Sequence, residues 1–401
     1  MKKQKILIVH NYYQVPGGED IVIVNEKQLL EEHGHEVELY TRHNNELKDM
    51  FGIQKLCIPF TTIFNCGTYR EIQKLIREKK IDIVHVHNTL NLISPAVYYA
   101  ARKCNVPIVQ TIHNFRLLCP KATFYRDGHI CEECLERGLW CAVKYKCYRG
   151  SRLLTLACVV TTKIHRATGI YKKLNYICLT SFTRDKLLSF KQIKPNKVYI
   201  KPNFTYDYGG GTSAEDYYVF VGRIEEIKGV DMLVEAFKLM PDRKLKMFGK
   251  GELDKKISEK IKKQSIKNIE MEGYQSHDKI QEAIRQAKGL IMCSQCYESF
   301  AMVVVEAFSV GTPAIVGDIG NIRDWVKPGK TGERFTYNSS KSLVEAIARF
   351  EAGNMENYRR NVYDFYKSNY TPEKNYKRLV EIYEAISTQN GEGKRKCYNC
   401  Y

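Results

Sequence analysis

Short apolar runs alternate with stretches of helical period along most of the chain, and this alternation limits the fold more than any other feature. Ile6–Val9 leads into a helical stretch over Ile21–His33, then into Glu36–Tyr40 and a helix near Thr68–Lys80. The runs Ile81–His87 and Pro107–His113 follow. Strand, helix, strand at these lengths builds parallel βαβ units. Open sheets of this kind bind ligands at the carboxyl ends of their strands, here near Asn11–Glu19, His87–Asn88 and His113–Asn114. Around Asn203–Asp216 the pattern breaks into Pro202, three glycines at 209–211 and two acids, as an interdomain linker does.

A second series begins at once. Strands are expected at Tyr217–Gly222, Leu245–Gly249, Asn268–Gly273, Leu290–Cys293 and Pro313–Val316. Helices are expected at Asp231–Met240 and Ile280–Ala287, with one opening near Phe300 and a last one over Pro372–Ser387. A chain of 401 residues is long enough for two domains. The expected boundaries are 1–205, 206–370, a C-terminal helix over 371–388 and a basic tail over 389–401.

No window approaches the ~18 consecutive apolar residues that would span a bilayer. The basic start meets only a four-residue apolar run, which reads as a first strand and not as an export signal. Fourteen cysteines in a chain of this kind suggest reduced thiols or metal ligation, and hence the cytoplasm. The formal charge of +18 is uneven: residues 1–205 carry 32 Lys and Arg against 17 Asp and Glu, and residues 206–401 carry 31 against 28. Such a field attracts anionic lipid, phosphorylated acceptors or nucleic acid.

The chemistry concentrates in two segments of the second half. Glu298 precedes an apolar run carrying Glu306 and ending at Gly311 and Pro313. A helix start there offers backbone N–H groups and a positive dipole end to a diphosphate, while the carboxylates can accept from sugar and ribose hydroxyls. Arg223 and Lys228 sit on the loop after the Tyr217–Gly222 strand, where a cation pair can neutralise a departing diphosphate.

These segments resemble those of the family 4 retaining glycosyltransferases, which share the GT-B architecture: two Rossmann-like domains, their parallel sheets facing across a central cleft, with a C-terminal helix crossing back to the first domain. Gly222-Arg223 with Lys228-Gly229 matches the family's G-R-x4-K-G segment, and Glu298 with Glu306 its E-x7-E segment. The resemblance implies that Arg223 and Lys228 hold the diphosphate, Glu298 contacts the donor sugar and Glu306 binds the ribose. Backbone at Phe300, Ala301, Met302 and Val303 would complete the phosphate cradle. Gly17-Gly18 matches the family's N-terminal glycine loop, Gly249 its turn beside the base, and Lys201-Pro202-Asn203 its approach to the linker. His113 matches the family's strand-end histidine, which faces the transferred sugar; His85 and His87 read as mainly structural. Ser299 and Ala301 stand where relatives often carry Gly, and Asn114 where many carry Asp.

The implied reaction is transfer from a nucleotide diphosphate sugar to a glycan or lipid-linked acceptor with retention of anomeric configuration, in cell-surface polysaccharide synthesis. The leaving phosphate takes the acceptor proton. The sequence holds no D-x-D motif, so no catalytic metal is expected. An epimerase or phosphorylase of the same architecture is the alternative. A basic nucleic-acid-binding protein is a weaker one, since no recognition motif accompanies the charge.

Within a Cys-rich insertion over 117–150, Cys119, Cys131, Cys134 and Cys147 have a spacing that allows a structural zinc site, with free thiols as the alternative. Downstream, Arg149–Val160 and the cations to Lys173 join apolar and basic residues, as a segment lying on an anionic membrane surface does. A core helix with a basic rim explains the same residues.

Overall fold

The computed structural model describes residues 3–14, 17–211 and 215–398, and their side chains apart from 53–56 and those from 390 onward. The chain forms two compact units. The first comprises Met1–Ala122, Glu132–Pro202 and Glu373–Tyr401, and the second Thr123–Cys131 and Asn203–Pro372.

The first unit is built on β1 (Lys5–Tyr12), β2 (Glu36–His43), β3 (Ile83–Asn88) and β4 (Ile108–Ile112). An antiparallel hairpin of β5 (Tyr125–Arg126) and β6 (His129–Ile130) follows in the chain, and then β7 (Asn175–Cys178) and β8 (Val198–Ile200) complete the sheet. Its order is β2-β1-β3-β4-β7-β8, all parallel. Residues 6–11 of β1 and all of β3 are buried, as befits central strands covered on both faces.

Helix α1 (Gly18–Glu32) follows β1. Gly17 N–H donates to Asp20 Oδ2 at 2.9 Å and closes the helix start. Its buried stripe is Val22, Ile23, Leu29 and Leu30, with Glu26 set among them. Helices α2 (Ile53–Ile63) and α3 (Arg152–Ala167) pack on one another, and His165 Nε2 lies 2.9 Å from Ile63 O. The Ser151 hydroxyl caps α3, whose inner face buries Thr155, Cys158, Val159, Thr161 and His165.

The second unit has β9 (Tyr217–Val221), β10 (Lys244–Phe248), β11 (Ile269–Gly273), β12 (Gly289–Met292), β13 (Ala314–Gly317) and β14 (Gly332–Phe335). All are parallel, in the order β11-β10-β9-β12-β13-β14. Its core is a continuous cluster that includes Ile224, Leu233, Phe237, Met247, Ile291, Ile315 and Phe350. Helix α4 (Met302–Ser309) lies between β12 and β13, opening two residues later than Phe300.

Both units are therefore the doubly wound α/β structures that the alternation implies. The described elements depart from the expected boundaries at the hairpin and at the end of the last helix, while that helix's return to the first unit is as expected. The β5–β6 hairpin, encoded within the insertion, belongs to the second unit. The last helix, α5 (Pro372–Tyr398), returns to the first and runs ten residues past the expected stop at 388. Tyr383 of α5 is fully buried there and its hydroxyl lies 2.8 Å from His85 Nδ1.

Candidate active site

In a doubly wound sheet the strand order reverses at one point, and the strand ends beside it open a crevice. In the second unit that point lies between β9 and β12. The loops leaving these two strands carry Arg223 and Lys228 on one side and Glu298 on the other. Lys228 Nζ donates to Glu298 Oε1 at 2.5 Å, and Ser294 Oγ donates to the same oxygen at 2.7 Å. Burial works against charge on both groups, but each holds the other ionised: Lys228 lies above its ordinary value and Glu298 below its own.

Glycines let these loops mesh. A Cβ on Gly249, at φ +133°, would stand 1.9 Å from Gly222 O, and one on Gly229, at φ +70°, would stand 2.1 Å from Cys293 O. Only a residue without Cβ permits either approach. The β10 turn thus abuts the Arg223 loop, and the β12 loop abuts the Lys228 loop. Hydrogen bonds complete the joint: Gln295 N–H donates to Ile227 O at 2.8 Å, and Cys293 Sγ donates to Lys228 O at 3.1 Å. Arg223 extends outward, more than half exposed, with Glu225 Oε1 at 2.9 Å from Nη1.

Helix α4 begins directly after this loop. Ala301 caps it and Met302 and Val303 open it, so their N–H groups belong to the first turn and have no acceptor inside the helix. Phe300 is buried edge-on against Trp325 at 4.8 Å and anchors the turn. One turn on, burial pushes the Glu306 carboxyl up to about 7. The hairpin adds a wall: Tyr125 OH donates to Glu226 Oε1 at 3.0 Å, between Arg223 and Lys228 in sequence, and Phe124 meets Tyr297 at 6.2 Å.

The remaining expected residues lie in the first unit, whose reversal falls between β1 and β3. Gly17 and Gly18 are exposed at the start of α1. Behind them His10 Nε2 meets Asp20 Oδ1 at 2.8 Å, and Tyr13 OH donates to Glu19 Oε2 at 3.3 Å. Burial, and then the charge of Asp20, push Glu19 up to about 8. His113 follows β4 and lines a cavity with Asn88, Thr89, Tyr98, Gln110 and Thr161. Its Nε2 is 2.9 Å from His87 Nδ1. Burial, then His87 and His10, keep His113 well below the usual histidine value and therefore neutral.

Among the described residues, no three of the four cysteines weighed as a structural zinc site form a group within 4.8 Å. Cys131 belongs to the second unit, whereas Cys119, Cys134 and Cys147 belong to the first. Cys134 and Cys147 pack on a small apolar cluster of Leu139, Ala142 and Val159. Among the described residues the set of three or more potential metal ligands within 4.8 Å of one another is instead Glu26, His85 and His87. Sequence reasoning passed over Glu26, although a carboxylate within the apolar stripe of an amphipathic helix is itself a signal. It also missed Ser294 and the hairpin wall, neither of which has a local signature.

Comparison with known proteins fits this geometry. A family model described as Glycosyl transferases group 1 matches residues 211–365, and one described as Glycosyltransferase Family 4 matches residues 16–157. An uncharacterised 42.6 kDa protein of a Klebsiella pneumoniae cps region is 24% identical over 345 residues, covering 78% of this chain and 84% of that one. The UDP-Gal:alpha-D-GlcNAc-diphosphoundecaprenol alpha-1,3-galactosyltransferase of Escherichia coli is 24% identical over 377 residues, or 86% and 88% of the two chains. Among solved structures, Anabaena HepE in complex with UDP-glucose matches with a TM-score of 0.64 at 16% identity, over 97% of this chain and 100% of that one.

Proposed function

We propose that this chain, which belongs to the family 4 glycosyltransferases of GT-B architecture, moves a hexose from a nucleoside diphosphate donor to a lipid-linked or glycan acceptor with retention, in cell-surface polysaccharide synthesis. The observation that carries the reading is the Lys228–Glu298 pair at the reversal of the second sheet, beside Arg223 and the start of α4. The E. coli relative's named acceptor is a lipid diphosphate sugar, and HepE holds UDP-glucose; both support the substrate class.

The donor diphosphate sits against Met302 and Val303 N–H groups, where the helix dipole favours negative charge. Lys228 and Arg223 neutralise the charge that grows on the leaving diphosphate. Glu298, held ionised by Lys228, accepts hydroxyl hydrogens of the sugar, and Glu306 accepts from the ribose. Gly249 borders the base. The acceptor attacks on the face the diphosphate leaves, and its proton passes to the departing phosphate oxygen. Catalysis is then positioning and electrostatics, with no covalent intermediate on either glutamate.

Among the described residues no helix is long and apolar enough to cross a membrane. The outer face of α3 exposes Leu153, Leu154 and Ile164, and Lys163 lies over the half-exposed Trp140 ring at 4.9 Å. With Arg149 and Arg152 alongside, this face suits the anionic cytoplasmic surface where a lipid-linked acceptor resides.

Purified protein is to be incubated with a panel of nucleotide sugars with and without lipid diphosphate sugars, and free nucleoside diphosphate measured. Release that requires the acceptor supports transfer; equal release without acceptor overturns it. Sedimentation with vesicles containing anionic lipid at low salt tests the membrane face, and no retention there removes that part of the reading.

A further inference from the structure

The first unit contains a sealed ion pair that the transfer just proposed does not use. Lys201 Nζ lies 2.7 Å from Glu26 Oε2, and each side chain is 1% exposed. Lys201 also donates to Asn375 Oδ1 at 3.1 Å, and Asn375 Nδ2 donates to Pro202 O at 2.6 Å, so the ammonium is fixed from two sides. The other carboxylate oxygen, Oε1, faces two ring nitrogens: His85 Nδ1 at 3.0 Å and His87 Nε2 at 3.4 Å. His85 is further held by Thr111 Oγ1 at 2.7 Å from its Nε2. Glu26, His85 and His87 have the donor atoms of a metal site. The Lys201 ammonium already neutralises that carboxylate, however, and would repel an added cation.

We propose that Glu26 is a positioning residue whose carboxylate sets the tautomer of His113 through His87. No hydrogen bond is formed between His87 Nε2 and Glu26 Oε1, but an ionised carboxylate oxygen 3.4 Å away repels a ring lone pair, so His87 keeps its hydrogen on Nε2 and its Nδ1 is left as an acceptor. That acceptor lies 2.9 Å from His113 Nε2, which must then carry the hydrogen. The lone pair of His113 is thereby assigned to Nδ1, so that nitrogen can accept a hydrogen but not donate one. Lys201 keeps the first member of the relay ionised, since a lone buried carboxylate would take up a proton and lose its acceptor-only character. The tautomer logic is general for a histidine oriented by a carboxylate. The inference rests on the reading that His113 faces the transferred sugar.

The test uses the full chain with 15N-labelled histidine, His113 being assigned by its absence from the His113→Ala spectrum. In the unsubstituted protein the His113 ring is expected as the Nε2–H tautomer. In Glu26→Gln/Lys201→Met, which leaves no unpaired charge, the signals should move to a mixture of tautomers. A folded double variant whose His113 signals do not move overturns the relay. Should that variant not fold, His87→Leu cuts the relay while keeping the ion pair and carries the same expectation. In steady-state transfer the substitution should lower kcat by roughly tenfold or more with little change in donor KM, and should cost nothing further in a His113→Ala background. An equal further loss in that background also overturns the relay. A moved tautomer beside full activity of His113→Ala leaves the relay standing and removes the catalytic reading of His113.

Discussion

Each unit places a lysine–glutamate pair near the reversal of its sheet, and the two pairs differ in almost everything else. Lys228 and Glu298 sit on loops and keep 23% and 17% of their side-chain surface, whereas Lys201 and Glu26 keep 1% each. The loop pair shares its carboxylate oxygen with a serine and borders a helix start able to hold phosphate. The sealed pair is enclosed by two histidines, an asparagine and the returning helix. A half-open pair can exchange its partner for a ligand. A closed pair cannot, and its charges act only through the groups they orient.

Substitutions should separate these roles. Lys201→Met is expected to destabilise the fold by about 3–5 kcal/mol, because Glu26 is left as a buried charge without its counterion. Urea unfolding measures this, and an unchanged midpoint would mean the pair is not sealed in solution. Lys228→Ala should lower turnover by about 10²- to 10³-fold while the melting temperature stays within a few degrees, since a preorganised charge at a leaving group acts mainly in the transition state. Matched losses of stability in both variants would erase the distinction drawn here. Arg223→Ala, removing an exposed cation from the same loop, should cost about tenfold in kcat/KM.

The smallest effect concerns Glu306. Its folded carboxyl titrates at about 7, against 4.5 for an ordinary glutamate. The folded protein thus holds a proton that the unfolded chain releases near the lower value, so this group lowers stability as pH rises between the two. Donor affinity should move oppositely, falling several-fold from about pH 8 to about pH 6 as the ribose acceptor is protonated. Titration calorimetry at both pH values, with Glu306→Gln as the flat reference, checks the sign.

How much of this was legible in sequence follows from how local each cause is. The strand–helix alternation and the glycines at 222, 229 and 249 write the second unit's loops almost directly, because turn geometry is a property of a few adjacent residues. Lys228 and Glu298 are 70 residues apart, yet each follows a strand end, and parallel topology brings such ends to one edge. The sealed network was invisible for the opposite reason. Glu26, His85, His87 and Lys201 come from a helix, a central strand and a segment far along the chain, and none has a neighbour announcing the others. Close spacing in sequence likewise says little about placement: Cys131 clusters with a different unit from the three cysteines grouped with it. Helix α5 outran its expected end because its buried residues, Leu379 to Ile386, fix only its beginning and middle.

The small hairpin at 123–131 has a practical corollary for anyone exchanging donor specificities among such enzymes. Nine residues translated long before the linker supply Phe124 and Tyr125 to the second unit. A chimaera cut cleanly at the linker would pair a transplanted half with a foreign hairpin. Recombination that carries 123–131 along with 203–372 keeps that surface native, and comparing the two designs would weigh the hairpin's share in choosing the sugar.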